Sequence, residues 1–514
     1  MLFKLVVTVA SLLMPAVCGE VVRYPRPPIY QKSAYFGLKV DGTDMYTVSY
    51  ADYDYVQLSM DEIQDAPKEF RIRLLDLKPM PSYSITPQKL PINATTDGNE
   101  LVFSVKDAHY LIVKIDGYKE FVILADPLET DVPSPDGKDV YNVANYNTDN
   151  TGNSVTKGIQ EAMDDAAKCP GSIVYVPPGL YSIGNLLLRN YTSLYLAGGS
   201  VLRFTGNSSD YKTLFTKSDL FPGTWWIQTE FDSTNITVYG RGTIDGNGFN
   251  SRKNKFMADV LVPAGTKNFR SDGILIRDAS FWAVPVVQSD EVTFTNLKIM
   301  NRFDVTQDDG VDVCESSKVR VRRAIGIGAD DPFSTKTWPA DTGTTVPYPY
   351  PPRSLDNVFF DDCVAWSNTY GYKIGQGVYQ SQDIITFQNS VVYTAAVGMG
   401  IDHRYGTAMV SNVTFKDMDI EGLHGNAWGQ SGWITVYVHD VGAGVGPIEG
   451  VYVKNVRARN VGSPGPWIAG WGSAKVSRVT FSDVRIKDST TFATTLEQMK
   501  IVNTTYSADI KIAN

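Results

Sequence analysis

Through the second half of this chain a short β-branched run, led in by polar turn residues, keeps returning, and no other feature constrains the fold as strongly. It reads SDEVTFTNLKI from Ser289, SSKVRVRRAIGI from Ser316, LDNVFFDDCVAW from Leu355 and SQDIITFQNSVVY from Ser381. VSNVTFKDMDI from Val410, IEGVYVKNVRA from Ile448 and VSRVTFSDVRI from Val476 continue it. With Val292, Val319, Val358, Ile384, Val413, Val451 and Val479 as markers, the steps are 27, 39, 26, 29, 38 and 28 residues. The shorter steps fit coils of three short strands, and the two longer ones fit coils carrying an inserted loop. Such a repeat cannot bury its apolar face alone, but stacked coils bury a continuous core, which predicts a right-handed parallel β-helix. A β-sandwich is the competing arrangement, yet its strands have no reason to recur beside the same turn residues. The insertions, roughly Trp338–Ser354 and Glu421–Pro447, are where binding walls would rise.

Upstream the pattern changes. Residues 20–133 hold short segments such as Tyr53–Leu58, Glu69–Leu74, Glu100–Val105 and His109–Ile115, divided by Asp, Gly and Pro turns. They predict an antiparallel β-sandwich, read as a packing or substrate-tethering module, and the turn formers Asp131–Lys138 mark its boundary with a β-helix over residues 134–514. One helix is expected at Asn153–Lys168, from the spacing of Val155, Ile159, Ala162, Met163 and Ala166, with Asn153 or Ser154 as its cap. Residues 1–19 have the charged start, apolar run and small-residue end of a signal peptide, so the protein is expected to be secreted and extracellular. Six N-x-S/T sequons, at Asn93, Asn190, Asn207, Asn235, Asn412 and Asn503, suit export and glycosylation. The three cysteines left after the leader, Cys169, Cys314 and Cys363, allow at most one internal disulfide. A formal charge of −9 argues against a nucleic-acid backbone as the main partner, and no later apolar run is long enough to span a membrane.

Acidic residues crowd at coil spacing. VTQDDGVDV carries Asp308, Asp309 and Asp312, and GADDPFSTK carries Asp330, Asp331 and Lys336. Asp309 and Asp330 are 21 residues apart, about one coil, so they should lie on neighbouring rungs. Glycosidic cleavage needs one carboxyl group to protonate the leaving oxygen and another to direct water or attack carbon. Crowding helps, because like charges keep one group protonated near working pH. A solvated turn ladder or a calcium site remains open on the residues alone.

The same motifs resemble glycoside hydrolase family 28, the pectinases, whose pattern runs N-T-D-G, G-D-D, G-H-G and R-I-K. Gln307-Asp308-Asp309-Gly310 matches the first and Ala329-Asp330-Asp331 the second. Lys336 falls where the family often has a lysine, and SIVYVPPGLY and GRGTIDGNG are similar as well. The resemblance implies an inverting hydrolase, with Asp330 as general acid, Asp309 and Asp331 activating water, and carboxyl groups roughly 6.5–9.5 Å apart. Asp312 is expected to bind structure or orient its neighbours. The order of a sandwich before a β-helix also resembles family 49, which cleaves neutral α-glucans.

Two departures shape the substrate expectation. Tyr370 stands at the histidine of G-H-G, and Asp402-His403-Arg404 stands at R-I-K. An anion where the family meets galacturonate with a cation predicts a neutral sugar at the central subsite. Trp338, Lys336, Tyr370, Lys373, Asp402, His403 and Arg404 are the candidate substrate-binding residues. Trp225, Trp226, Trp282, Trp428 and Trp433 are further aromatics that could stack on sugar. The expected partner is a polysaccharide or oligosaccharide met by a monomer, with no nucleic acid, membrane, cofactor or metal. A dextranase- or isopullulanase-type α-glucan hydrolase, a pectin or rhamnogalacturonan hydrolase, a lyase and a noncatalytic glycan-binding protein are the rival readings.

Overall fold

A computed structural model describes residues 20–62, 67–217, 221–339, 348–425 and 431–513. The expected leader and Trp428 lie outside the described residues. The chain forms an N-terminal β-sandwich packed against a long parallel β-helix, whose main sheet runs for 19 strands from Val140–Asn142 to Ser507–Ile512.

The repeat is borne out nearly residue for residue. Val319 pairs with Val358, Val413 with Val451 and Val451 with Val479. One marker needs correction, because the partner of both Val358 and Val413 is Ile385 and not Ile384. Ile384 is about half exposed and has left-handed backbone at φ 52°, which a β-branched residue adopts only at a cost. It occupies a column of such residues, one before each marker: Glu291, Lys318, Asn357, Ile384, Asn412, Gly450 and Arg478. A second column falls four residues after each marker, at Asn296, Arg323, Asp362, Asn389, Asp417, Asn455 and Asp483. These paired left-handed residues bend each coil at fixed points; the second column is nearly all Asn and Asp, the residues that adopt this backbone most readily, while the first is mixed and mostly polar. Between them the buried side chains stack coil on coil. Phe360, Phe387 and Phe415 lie nearly parallel with centroids 4.9 and 5.4 Å apart. Each buried ring of this kind contributes about 1.5–3 kcal/mol by area alone.

The helix is shorter than expected, Gly158–Ala166, with Ile159, Ala162, Met163 and Ala166 facing the core. Thr151–Thr156 is instead a strand continuing the main sheet, Val155 is largely exposed, and no side chain caps the helix. The need to pair the first coil's edge outweighs local helix propensity here.

In the sandwich, the sheet facing the β-helix contains one parallel pair, Tyr53–Met60 beside Glu120–Pro127, in an otherwise antiparallel arrangement. That sheet is covered on both faces. Phe121, Ile123, Leu111 and Val113 point into the sandwich core, while Tyr53, Tyr55, Tyr110, Ile112 and Leu124 pack on Leu275, Met300, Ile325, Ile327 and Trp366 of the β-helix. Burial on both faces explains why these strands read as continuous apolar runs. Cys169, Cys314 and Cys363 are free thiols.

A second sheet of seven parallel strands carries the groove: Val284–Val287, Val311–Cys314, Phe333–Thr337, Tyr370–Val378, Val397–Tyr405, Gly432–Val438 and Trp467–Ala469.

Candidate active site

Gln307–Gly310 and Ala329–Pro332 are the turns that enter two adjacent strands of this groove sheet. The coils touch closely there: a Cβ on Gly310 would lie 2.2 Å from the Pro332 carbonyl, so only glycine fits. One carboxylate oxygen from each of Asp309, Asp330 and Asp331 lies within 4.8 Å of the other two. These nearest-oxygen distances are shorter than the roughly 6.5–9.5 Å expected between the carboxyl groups of an inverting pair.

The three carboxylates differ in what they touch. Asp331 is buried, 2.8 Å from the Lys373 ammonium, and accepts from the Thr369 hydroxyl at 2.7 Å. Burial opposes its charge, but Lys373, Lys336 and the Thr369 bond outweigh it and hold the carboxyl below its usual range. Asp309 lies 2.6 Å from Lys336, which also reaches Asp312 at 2.9 Å. Asp312 is fully buried and bonds the Ser334 hydroxyl, so it serves to hold Lys336 in place. Asp330 has no ammonium among its hydrogen-bond partners among the described residues. Burial, then the charges of Asp309 and Asp331, push its carboxyl up to about 7. Burial and Asp312 raise Asp309 too, against the pull of Lys336. Asp309 and Asp330, both pushed up to about 7, therefore compete for one proton, and of the two only Asp309 is in direct contact with an ammonium group. The three oxygens also have the closeness of a cation site, but two ammonium groups already neutralise Asp309 and Asp331.

Strand alternation decides the rest. From Val397–Tyr405, Asp402 and Arg404 reach the groove, while His403 turns inward, fully buried, its Nε2 2.8 Å from the Ala408 carbonyl oxygen. His403 is therefore withdrawn from the substrate-binding set. The other nine candidates, Asp309, Asp330, Asp331, Lys336, Trp338, Tyr370, Lys373, Asp402 and Arg404, line one cavity of about 460 Å³. Of the further aromatics Trp282 joins them, with the Lys336 ammonium 4.8 Å from its ring centroid. Trp225, Trp226 and Trp433 are core residues, with Trp226 and Trp433 donating to the Gly184 and Met499 carbonyls. The sequence reading missed Lys217, Thr369, Gln376 and Tyr405, which also line the cavity. Thr369 adjoins Tyr370 and was findable; Lys217 comes from a coil far upstream and has no motif around it. A slightly larger hollow, about 530 Å³, lies between Pro127–Asp131 and the main sheet, but it contains no comparable carboxylate cluster.

The chain matches the family described as glycosyl hydrolases family 28 over residues 188–508. It belongs to that family. An exo-poly-α-D-galacturonosidase of Dickeya chrysanthemi is 30% identical over 156 residues, 27% of this chain and 25% of that enzyme. The aligned segment thus spans about a quarter of the length of that curated relative. The family 28 exopolygalacturonase of Yersinia enterocolitica shares the fold at TM-score 0.51 and 16% identity, over 88% of this chain and 96% of that one. Dex49A of Penicillium minioluteum shares it at TM-score 0.59 and 13% identity, covering 96% of both chains.

These findings overturn the expectation of a neutral sugar. The Dickeya and Yersinia relatives are named for galacturonan, and the anion behind the expectation is not available to repel one. Arg404 grips Asp402 with Nε and Nη2, both at 2.8 Å, and Asp402 is fully buried. The fork cancels the charge that the sequence, read one position at a time, assigned to the subsite.

Proposed function

We propose that this protein is a secreted hydrolase of an acidic pectic polysaccharide, cleaving galacturonan with inversion, its sandwich over residues 20–133 preceding a catalytic β-helix over residues 134–514. Asp330 donates the proton to the leaving oxygen, and Asp309 and Asp331 hold and activate the water. The observation carrying this reading is the unequal treatment of three close carboxylates: ammonium groups bind Asp309 and Asp331, and Asp330 is left to hold a proton. An acid and two bases are thereby separated by environment alone.

Membership of family 28 and the galacturonosidase relative support an acidic substrate, and the groove is compatible with one. Its lining offers Lys217, Lys336, Lys373 and Arg404. The Asp402 fork leaves Nη1 of Arg404 as the donor for a uronate carboxylate, while Trp282, Trp338 and Tyr370 supply faces for sugar rings. Hydrolysis needs no cofactor in this scheme. Incubation with polygalacturonan, rhamnogalacturonan and neutral glucans at matched ionic strength tests it, reading new reducing ends. Release from the acidic polymers is expected; cleavage confined to neutral glucans, or unsaturated products, would refute it.

A further inference from the structure

Asp330 is held at both ends of its own peptide unit, and both holds lead back to the N-terminal sandwich. On one side, Asp308 is a buried residue whose Oδ1 accepts the Asp330 N–H at 3.0 Å and whose Oδ2 accepts the Ala329 N–H at 3.3 Å. The Asp308 carbonyl oxygen accepts from Asn301 Nδ2 at 2.6 Å, and Asn301 Oδ1 accepts the Ala279 N–H at 3.0 Å. The hydroxyl of Tyr53, from the sandwich, donates to the Asn301 carbonyl at 2.8 Å. Asp52 beside it accepts the Phe303 N–H at 3.0 Å, fixing the same loop a second time. On the other side, the Tyr53 ring packs on Trp366 with centroids 5.5 Å apart. Ser367, the next residue, donates to the Asp330 carbonyl at 2.9 Å. Tyr53, Asn301 and Asp308 are all essentially excluded from water. Hydrogen bonds in such surroundings are stiff, and losing one partner strands the other.

We propose that Asp308 is a positioning residue for the proton donor, and that through Asn301, Tyr53 and Trp366 the sandwich belongs to the catalytic apparatus. This rests on the reading of Asp330 as the acid. The sandwich then does not tether substrate; it sets the angle at which Asp330 meets the glycosidic oxygen. Asparagine at position 308 can accept only one of the two N–H groups, and its own amide faces the other. The Asp330 turn should therefore shift while the water-holding residues, fixed by Lys336, Lys373 and Thr369, stay in place.

The test compares full-length wild type, Asp308→Asn, Tyr53→Phe and Asp330→Asn on two substrates. One is polygalacturonan, whose leaving oxygen needs a proton. The other is 4-nitrophenyl α-galacturonide, whose leaving group does not. For Asp308→Asn, kcat on the polymer should fall about 10²-fold with KM within about 2-fold, while the aryl glycoside loses less than about 3-fold. Tyr53→Phe, which keeps the ring and its packing, should show the same split at about 5-fold on the polymer. Equal losses on both substrates would mean a merely structural role and overturn the proposal, as would unchanged kcat in Tyr53→Phe. Near-normal polymer cleavage by Asp330→Asn would retire the acid itself; an inactive Asp330→Asn beside an unaffected Asp308→Asn would retire only the positioning role.

Discussion

The main sheet and the groove sheet are built by the same coils, yet they solve opposite problems. In the main sheet, equivalent positions repeat as like residues, and Phe360, Phe387 and Phe415 form a ladder whose members are interchangeable in kind. In the groove sheet the coils stack unlike residues. Asp312 pairs in register with Ser334 and Ser334 with Lys373, so polar groups replace a column of identical apolar ones. Stacked identical charges would repel, and the groove sets ammonium groups against Asp309, Asp312 and Asp331. The stacking geometry that makes the fold cheap to repeat thus places unlike charges at coil spacing, where catalysis can use them.

The sharpest way to break the comparison is to change one residue on each side. Asp330→Asn should lower turnover by at least about 10²-fold and, in acid where the wild-type carboxyl is also neutral, leave the melting temperature nearly unchanged. Phe387→Ala should do the reverse, costing about 3–5 kcal/mol in urea unfolding with kcat of the folded fraction preserved. If the Phe387 variant lost turnover as severely as stability, ladder and groove could not be treated as separable.

Lys336→Met tests that pairing of charges itself. It leaves Asp309 and Asp312 buried without their shared cation, and breaking such a pair costs about 3–5 kcal/mol. Hydrolysis should fall as well, since Asp309 would then keep a proton. A variant as stable as wild type would mean that the two carboxylates are neutralised some other way.

Arg404→Lys, which keeps a cation beside Asp402, is expected to act more mildly, raising KM on polygalacturonan by about 10-fold with a smaller change in kcat, because the forked donor set is lost. Comparison with a reduced-charge, methyl-esterified pectin sharpens this, since the ester should lose little. Equal effects on both polymers would remove Arg404 from carboxylate recognition.

Smallest in amplitude is the pH response. Asp330 must hold its proton, so activity should decline as pH rises through about 7. Folding raises the same carboxyl above its unfolded value, so its contribution to stability is present in acid and is lost as pH climbs from about 4 towards 7. Asp331, held low, contributes oppositely and is lost only in stronger acid. Urea midpoints across this range in wild type and Asp330→Asn isolate the first contribution; identical curves would deny Asp330 its raised value.

The sequence carried the main sheet almost to the residue because apolar ladders are periodic. It erred where a β-branched residue, Ile384, sat at the left-handed position beside the true ladder member Ile385, and at Thr151–Thr156, part of which it read as helix. The acidic triad was legible because its carboxylates recur at coil spacing in two dense motifs. The substrate contacts were less so. His403 and Asp402 are neighbours with opposite orientations, which alternation within one strand settles only once the register is known. The charge of Asp402 was misjudged because its partner sits two residues away on the same face, and a fork of that kind has no linear signature. Lys217 lies in an earlier coil's loop, placed by stacking and not by any motif.

The central claim is tested most directly by proton NMR of the first products released from polygalacturonan. Inversion by Asp330, Asp309 and Asp331 predicts that the new reducing end appears first as the β-anomer and then mutarotates. Initial appearance of the α-anomer, or of an unsaturated uronate, would contradict it.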